Sequence, residues 1–505
     1  MRSNSKRPRT RSAATGSVDV HCHVFNAHDV PIRRFVELVY LEKFPGGDLA
    51  SPIIDLIEFI MRSGAPTTRE EIDQLKQAGL TLKRLKPSGS RAGDIRRVAQ
   101  ALKLMWLRSP KHRQWVRRNF SPRLQRQFRG KRKIPVTAAH FRQTAQHLIS
   151  TSGIGTWIDF ALIYTKARWE ITQKLASLSK AQAADVFLYT PAMLDIGTRL
   201  GEPDTSDLGE QVEVMRLISQ IKGLGFALHA FVAFDPFRAI DDATVLPVVK
   251  DAIRNQGAIG VKIYPPMGIK PCNNSGSSGL NEQLDRQMGQ FLQFCLDEDV
   301  PILAHCSFSQ YVSLHPEDGA CAAPEVWQRF LRQPGHAKLR LDLGHCGGPW
   351  DFDPNPQTNT IWTKTVIALI GSGDFPNLYA DVSDDSAILD PDSDNNQELM
   401  RRLLGFLRQN PRARTRLLYG SDWSLLARES GANDYYASMK THFCDFLGFT
   451  AAERRGYLGG NALRFLGLAK DASGSKPLNR KRLEKFRHDN GLDMSIFAKI
   501  DALTS

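Results

Sequence analysis

The sequence contains no uninterrupted apolar run of the roughly 18 residues that a membrane-spanning helix requires, although 42% of its 505 residues are hydrophobic. This absence argues against a membrane-spanning protein and leaves the composition of an ordinary globular one. The opening stretch, MRSNSKRPRTRSAATG, has five basic and no acidic side chains, but no apolar stretch follows it. It therefore does not read as a secretory signal, and we expect a disordered basic arm at residues 1–16.

Cysteine is also scarce, since the chain has seven, an odd number, and no pair with CxxC spacing. This usage argues against a disulfide framework and fits a reducing compartment, for which we expect the cytoplasm.

Acidic residues are almost absent between Lys76 and Lys133, where 19 Lys or Arg accompany the single acid Asp94. Because the whole chain carries a net charge of only +14, the part outside this basic segment (residues 76–133) and the two basic termini is acidic. Aromatic residues interleaved with the arginines fit contact with nucleic acid or an anionic membrane. The competing interpretation is a solvated face, or one that packs against the acidic remainder of this chain or of another subunit.

After about residue 185, short apolar runs alternate with segments of helical periodicity. The runs are DVFLYTPAM (185–193), GFALHAFVAF (225–234), AIGVKIYPP (258–266), VPILAHCS (300–307), LRLDLGHCGG (339–348), NLYADVS (377–383) and RLLYGSDWS (416–424). With the opening run they make eight strands separated by helices, which predicts an α/β fold, a closed (β/α)8 TIM barrel. No GxGxxG turn follows the first strand, so a doubly wound open sheet is disfavoured.

The barrel is predicted to occupy residues 17–29 and 181–469, with about 150 residues between its first two strands, far more than an ordinary connection needs. Residues 30–180 contain six stretches of helical periodicity, one of which begins with the capping box TTREE at 67–71. We predict a large basic all-helical insertion subdomain that lies over the catalytic mouth as a lid or substrate wall. Residues 470–505 are predicted to form a basic C-terminal extension.

Potential metal ligands stand at the carboxyl ends of four predicted strands. His21 and His23 are two residues apart, so both imidazoles lie on one face of the first strand. His305, His345 and Asp422 end the runs LAHCS, LGHCGG and YGSDW, and in a barrel all these strand ends face one mouth. Core packing explains such a set poorly, and we interpret it as a metal site.

The motifs VDVHCHVF, GVKIYPPMG, ILAHCS, LDLGHCGG, YGSDWS and GGNALRFLGL resemble the amidohydrolase superfamily of metal-dependent barrels. The chain is most similar to the amidohydrolase-related branch that includes aminocarboxymuconate-semialdehyde decarboxylase and aromatic-acid decarboxylases. The resemblance covers residues 17–29 and 181–469 and leaves the helical insertion uncovered. It implies a site for Zn²⁺ or another divalent transition metal, with one ion rather than two, held by His21, His23, His305 and Asp422.

The resemblance also implies roles for residues beside the metal. His345 would act as the acid or base, and Asp422 would accept a proton from water as well as bind the metal. Lys262 on the fourth strand remains ambiguous: it would be a carboxylated bridge between two metals or a group that binds a substrate carboxylate. Arg238 and Trp327 are candidates for substrate contact, although a turn role and a surface position are alternatives.

Three hypotheses about function follow. The first is a metal-dependent hydrolase in which activated water attacks an amide, lactone or related carbonyl bond of a small carboxylated substrate. The second is a non-oxidative decarboxylase of an aromatic or unsaturated acid, and the third is a non-catalytic scaffold that binds nucleic acid or membrane through the basic segment. We also expect a homo-oligomer.

Overall fold

A computed structural model describes the chain except for residues 1–15, 44–50, 129–135, 151–152, 182–185, 202–205, 275–279, 310–311, 349–361, 385, 391 and 430. The predicted basic arm therefore lies, apart from Gly16, outside the described residues. So does the end of the basic segment. Within the part of the chain that is described, no helix is both long and apolar enough to cross a membrane.

The architecture is α/β and contains two parallel sheets. The strands are β1 (Ser17–Cys22), β2 (Val186–Pro191), β3 (Ala227–Leu228), β4 (Phe231–Ala233), β5 (Gly260–Ile263), β6 (Ile302–His305), β7 (Leu341–Gly344), β8 (Leu378–Val382) and β9 (Leu417–Tyr419). One sheet has the order β1-β2-β3 and the other runs from β4 to β9 in sequence order. All strand residues are buried, which explains why the runs are continuously apolar rather than alternating.

The sheets are connected at both ends. The predicted strand at 225–234 is divided into β3 and β4, and a parallel bridge between Ala192 and Phe231 joins β4 to the end of β2. On the other side, the backbone N–H groups of Ser421 and Asp422 donate to the carbonyl oxygen of His21, at 2.9 and 2.7 Å. These contacts bring the carboxyl ends of β9 and β1 together.

Nine helices are described between β1 and β2, where the periodicity predicts six. They are α1 (Ile32–Lys43), α2 (Pro52–Met61), α3 (Thr68–Gln77), α4 (Arg91–Arg108), α5 (Pro110–Arg118), α6 (Pro122–Phe128), α7 (Ala138–Ile149), α8 (Ile154–Ile163) and α9 (Arg168–Ala181). Seven of them share a hydrophobic core that includes Phe35, Ile57, Leu102 and Phe160. The buried apolar residues of α3 and α9, such as Leu75 and Trp169, belong instead to the core that contains the strands. We call residues 32–181 the helical region. Its assignment as an insertion over the catalytic mouth stays a prediction.

Helices also separate the later strands and follow the last one. Those between strands are α10 (Gly197–Leu200), α11 (Leu208–Ser219), α12 (Pro236–Asp241), α13 (Val245–Asn255), α14 (Leu280–Asp297), α15 (Pro324–Leu331), α16 (Trp362–Ser372) and α17 (Asp394–Gln409). After β9 come α18 (Tyr435–Ser438), α19 (Cys444–Phe446), α20 (Ala451–Arg455), α21 (Asn461–Phe465), α22 (Leu478–Asp489) and α23 (Ile496–Thr504).

The C-terminal extension is folded against the strands. Leu483 of α22 and Ile500 of α23 share a hydrophobic core with Val18 of β1 and Phe187 of β2. The Asn479 side chain donates to the carbonyl oxygens of Ile259 and Leu466, at 2.8 and 2.7 Å. Residues 470–505 therefore contribute to the core of the sheet region.

Candidate metal centre

His21 and His23 present the same ring atom to one point. His21 is in β1 and its Nδ1 lies 3.0 Å from Oδ2 of Asp381, while Nδ1 of His23 lies 2.8 Å from the carbonyl oxygen of Ala192. Both acceptors require a proton on Nδ1, so Nε2 of each neutral imidazole carries a lone pair. The two Nε2 atoms lie 3.6 and 2.9 Å from Oδ1 of Asp422. This is the tautomer in which histidine binds a metal through Nε2.

Asp422 completes a buried group of three with these histidines. Its side chain is buried, and Oδ1 has no hydrogen-bond donor among the described residues. Burial by itself raises the pKa of the Asp422 carboxyl, and the facing His23 and His21 rings lower that pKa when they carry a proton. With neutral rings, a metal cation would supply the positive charge that keeps the carboxylate ionised. One atom from each residue lies within 4.8 Å of the others. Two imidazole nitrogens and a carboxylate oxygen are zinc ligands, and a cation among them would satisfy the unpaired oxygen.

His21 is itself neutral. Burial, followed by the charge of Lys262, lowers the pKa of the His21 imidazole to about 4. A neutral ring keeps the Nε2 lone pair available near pH 7, which metal binding requires.

A second group, His21, His345 and Asp381, adjoins the first. Asp381 is on β8, accepts from His21 Nδ1 through one oxygen and from the backbone N–H of His345 at 3.2 Å through the other. The strand is predicted at residues 377–383, but no function was predicted for Asp381. The signal was present, because Asp381 in NLYADVS occupies the same strand-end position as the other polar residues.

His305 lies beside the site but belongs to neither group. Its Nδ1 is 3.2 Å from Nε2 of His345, and its Nε2 lies 2.8 Å from Ser307 Oγ and 3.1 Å from Ser309 Oγ. Burial, followed by the charge of His345, lowers the pKa of the His305 imidazole well below its usual value. The structure thus does not bring His305 into the group formed by His21, His23 and Asp422, and its metal-ligand role stays a prediction.

Lys262 of β5 points into the site. The alternation of side chains along the strand could not predict whether this lysine faces inward or outward. Its Nζ lies 3.1 Å from Nε2 of His21, and its side chain is buried. Burial lowers the pKa of the Lys262 ammonium to about 8, while the carboxylates of Asp381 and Asp422 oppose that effect. The ammonium therefore neutralises part of the negative charge of this site.

The two proposed substrate contacts lie in different surroundings. Arg238 on α12 forms an ion pair with Asp195, with Nη2 and Oδ1 2.8 Å apart. Trp327 on α15 is completely buried in the hydrophobic core, and its Nε1 has no hydrogen-bond acceptor among the described residues. The alternative interpretation, that Trp327 lies at the surface, is therefore wrong. A substrate could reach the ring only after the core around it rearranged.

The three cysteines beside site histidines are buried in the same apolar core as Trp327, as their strand parity suggests. They are Cys22, Cys306 and Cys346. Burial raises the pKa of the Cys22 thiol well above its usual value, so this thiol is neutral.

Two residues of the site have left-handed backbone conformations. His345 has φ of 63° and Asp422 has φ of 49°, a region that non-glycine residues rarely adopt. Such strain is common at functional sites, where surrounding contacts hold the backbone in place.

Residues 239–468 match the amidohydrolase family model named Amidohydro_2. The matched segment includes Lys262, His305, His345, Asp381 and Asp422, and it begins after the two histidines of β1. The match supports the expected relationship to the amidohydrolase superfamily and does not distinguish among its branches.

The chain also has weak similarity to solved amidohydrolase structures. A zinc-bound amidohydrolase from Burkholderia multivorans is 16% identical, with 58% of this chain and 87% of that chain covered and a TM-score of 0.37. Amidohydrolase 2 from Bifidobacterium longum subsp. infantis is 15% identical over 58% and 85% of the two chains, with a TM-score of 0.32. A zinc-bound amidohydrolase from Burkholderia ambifaria is 13% identical over 96% and 92%, with a TM-score of 0.38. These scores are too low to transfer any property. No curated protein matches the chain significantly.

Proposed function

We propose that this protein is a metal-dependent hydrolase of the amidohydrolase superfamily that cleaves an amide, lactone or related carbonyl bond of a small carboxylated substrate. The family match supports the superfamily. The observation that carries the proposal is Oδ1 of Asp422, a buried carboxylate oxygen without a hydrogen-bond donor that faces Nε2 of both His21 and His23. An unpaired buried anion is costly, and a divalent cation is the partner that this donor set suits.

The proposal includes a closed (β/α)8 barrel in which β3 and β4 count as one strand. The bridge between Ala192 and Phe231 supports continuity between the sheets, and the hydrogen bonds from Ser421 and Asp422 to His21 support closure. In this arrangement the site lies at the carboxyl ends of the strands, where barrel enzymes have their active sites.

The proposed ligands are His21, His23 and Asp422, with His305 as a further ligand if its side chain turns away from Ser307. A divalent metal ion, which we propose to be a single zinc, supplies Lewis acidity that polarises a carbonyl group and makes water nucleophilic near neutral pH. Asp381 and the Ala192 carbonyl orient the two imidazoles. Asp422 accepts the proton of the attacking water, and His345 delivers a proton to the leaving group.

Lys262 and Arg238 are the proposed partners of a substrate carboxylate. Lys262 Nζ is already beside His21, and Arg238 is held by Asp195. A substrate carboxylate bound by Lys262 would hold the carbonyl group beside His21 and so fix the orientation of the substrate. The bridging role of Lys262 would require a second ion and is the alternative.

Metal analysis of the purified full chain tests the site. We expect about one divalent ion per chain in the native protein and a loss of most of it in His21→Ala and Asp422→Asn. Cys22→Ala is the matched control, because Cys22 lies between the two histidines and faces the apolar core. A native protein without stoichiometric metal, or equal retention in all variants, would refute the proposal.

Product analysis separates hydrolysis from decarboxylation. The metal-loaded enzyme should open lactones or release amines from carboxylated amides, with no carbon dioxide formed. Release of carbon dioxide from aromatic or unsaturated acids, lost in Asp422→Asn, would instead support the decarboxylase alternative on the same residues.

Contact with an anionic partner through the basic segment, self-association and a cytoplasmic location remain proposals. Asp94, the one acid of the segment, is paired with Lys166 and Arg97 at its Oδ1. The contacts of the segment with the rest of the chain include those of Lys76, whose Nζ is 3.3 Å from Glu213 of α11, and of Arg108, whose Nη1 is 3.1 Å from Asp55 of α2. Most of its other cations point outward, which supports a partner of opposite charge.

A further inference from the structure

A cavity lies at the opposite end of the strands from the candidate metal centre. Its volume is about 560 Å³, and six cationic side chains line it: Arg340, Arg414, Arg416, Arg455, Arg464 and Lys470. Arg340 and Arg416 immediately precede β7 and β9, so the cavity is at the amino ends of these strands. The metal centre is at the carboxyl ends, and the two sites are therefore separate.

Two of the six cations have carboxylate partners. Nε of Arg340 is 2.6 Å from Oδ1 of Asp299, and Nζ of Lys470 is 3.0 Å from Oδ2 of Asp501. The other four, Arg414, Arg416, Arg455 and Arg464, have no carboxylate partner among the described residues. The protein therefore places four uncompensated guanidinium groups around one cavity.

Neutral contacts orient three of these four arginines. Arg416 donates to the Pro376 carbonyl and lies over the Tyr379 ring, 4.8 Å from its centroid. Arg414 lies 5.2 Å from the centroid of the Phe449 ring. Arg464 donates to the carbonyl oxygen of Thr504 at 3.1 Å. Each guanidinium has five N–H groups, so these contacts hold the side chain and leave donors for a ligand.

The two acidic side chains of the cavity lining are engaged within their own segments. The Glu453 carboxylate accepts from the backbone N–H and hydroxyl of Thr450, which caps α20. The Asp471 carboxylate accepts from the backbone N–H groups of Ser473 and Ser475. Neither carboxylate is paired with an arginine of the cavity, so the cavity keeps an excess of positive charge.

We propose that this arginine cavity binds an oligophosphate anion, either the phosphate chain of a nucleotide or a free inorganic polyphosphate. Guanidinium groups match phosphate oxygens with paired N–H donors, and they are preferred over ammonium groups for this purpose. Four guanidinium groups around one space suit several linked phosphates better than a single one. The volume is within the range of small-molecule sites.

Isothermal titration of the full chain with inorganic tripolyphosphate and with ATP, at an ionic strength of about 50 mM and without divalent metal, tests this proposal. We expect both probes to bind. Arg455→Glu should lower the affinity for tripolyphosphate at least about tenfold, and Arg414→Gln should lower it less. Arg455 is exposed, and its side chain makes no hydrogen bond or ion pair with the part of the chain that the structure describes. Equal affinities would assign recognition to the phosphate chain, and tighter binding of ATP would assign the cavity to a nucleotide.

Arg96→Glu is the matched control, because it makes the same change of charge at an exposed arginine in the basic segment. Its affinity for tripolyphosphate should equal that of the native chain. Weakening by Arg96→Glu as large as that by Arg455→Glu would overturn the proposal, as would absence of binding by the native chain. A midpoint temperature of thermal unfolding equal to that of the native chain would verify that Arg455→Glu is folded.

Discussion

Asp381 determines which nitrogen of His21 faces the candidate metal. Its Oδ2 holds a proton on Nδ1, and its other oxygen accepts from the His345 backbone. Without this acceptor, the His21 ring is free to rotate or to change tautomer, and Nε2 is no longer reserved for a ligand. Asp381 is therefore a positioning residue.

We predict that Asp381→Asn lowers the zinc affinity of the full chain by about 10- to 100-fold, the usual effect of losing such a partner. Competition with a chromophoric chelator measures this affinity. Ser383→Ala should have a smaller effect, because Ser383 Oγ, 3.1 Å from His21 Nδ1, is a neutral acceptor, whereas the Asp381 carboxylate is charged. An unchanged affinity in Asp381→Asn would show that the ring orientation does not depend on the carboxylate.

A histidine remote from the site makes the stability of the fold depend on pH. His229 is buried between the Gly257 carbonyl, 2.9 Å from Nδ1, and Arg487, whose Nη1 is 3.0 Å from Nε2. Burial, followed by the charge of Arg487, lowers the pKa of the His229 imidazole to about 3 from its usual 6.5. Between these pH values the unfolded chain binds more protons than the folded one, so stability falls as the pH falls.

We predict that His229→Gln removes this part of the pH dependence. A glutamine can donate to Gly257 and accept from Arg487 without titrating. The free energy of unfolding in urea, measured at pH 7 and pH 5, should decrease less steeply in the variant than in the native chain. One such group contributes up to about 1.4 kcal/mol per pH unit. Parallel pH profiles would contradict the neutral state of His229.

The individual residues show what the sequence could and could not predict of the site. Strand-end position predicted that His21, His23 and Asp422 would meet, and the structure brings them together. It could not predict that the His305 side chain bonds to Ser307 and Ser309, because rotamers depend on neighbours in the fold. Asp381 has the same strand-end position but was missed, because NLYADVS is not one of the motifs that carry the family resemblance.

At the scale of elements, local signals were reliable where they depended on few residues. The capping box predicted at Thr67 is present, since Thr67 and Glu70 make both reciprocal hydrogen bonds. Periodicity failed elsewhere: residues 158–180 are one of the six stretches predicted as helices, but residues 164–167 divide this stretch between α8 and α9. The interruption precedes Arg168, whose buried partners are distant in sequence and invisible to a periodic pattern.

Arg168 joins α9 and α3 of the helical region to the segment that follows β1. Its guanidinium is completely buried and contacts both oxygens of Asp29, after β1, and Oε2 of Glu71, on α3, at 2.8 Å. Burial raises the pKa of the Glu71 carboxyl, although Arg168 opposes this effect. The cation thus allows two carboxylates to remain buried.

We predict that Arg168→Met destabilises the protein by about 3–5 kcal/mol, because it leaves Asp29 and Glu71 buried without a counter-charge. Urea unfolding monitored by circular dichroism measures the loss. Arg69→Met is the control: its ion pair with Glu210 is exposed and should contribute far less. Similar losses in the two variants would show that the buried network does not anchor these helices.

At the scale of the whole molecule, the basic segment combines charge with exposed apolar side chains. Leu104 and Leu107 of α4 are 43% and 66% exposed, and they lie beside the exposed cations Lys103, Arg108 and Lys111. Residues 104 and 107 lie on one face of the helix. Contact with nucleic-acid phosphates does not bury leucine side chains. An anionic lipid surface, by contrast, pairs with cations and also buries leucine side chains. If the segment binds the proposed anionic partner, the exposed leucines favour a lipid surface over nucleic acid.

We predict that the full chain binds vesicles of phosphatidylserine and phosphatidylcholine, but not of phosphatidylcholine alone, and that binding weakens as salt rises from about 50 to 200 mM. Leu104→Ser with Leu107→Ser should reduce the bound fraction in a sedimentation assay without changing net charge. Leu314→Ser is the matched control, because Leu314 is 54% exposed outside the basic segment. Retention of binding by the double variant would mean that charge alone drives it. Stronger binding to duplex DNA than to the vesicles, unaffected by the leucine replacements, would instead assign the segment to nucleic acid, since only the cations would then contact the partner.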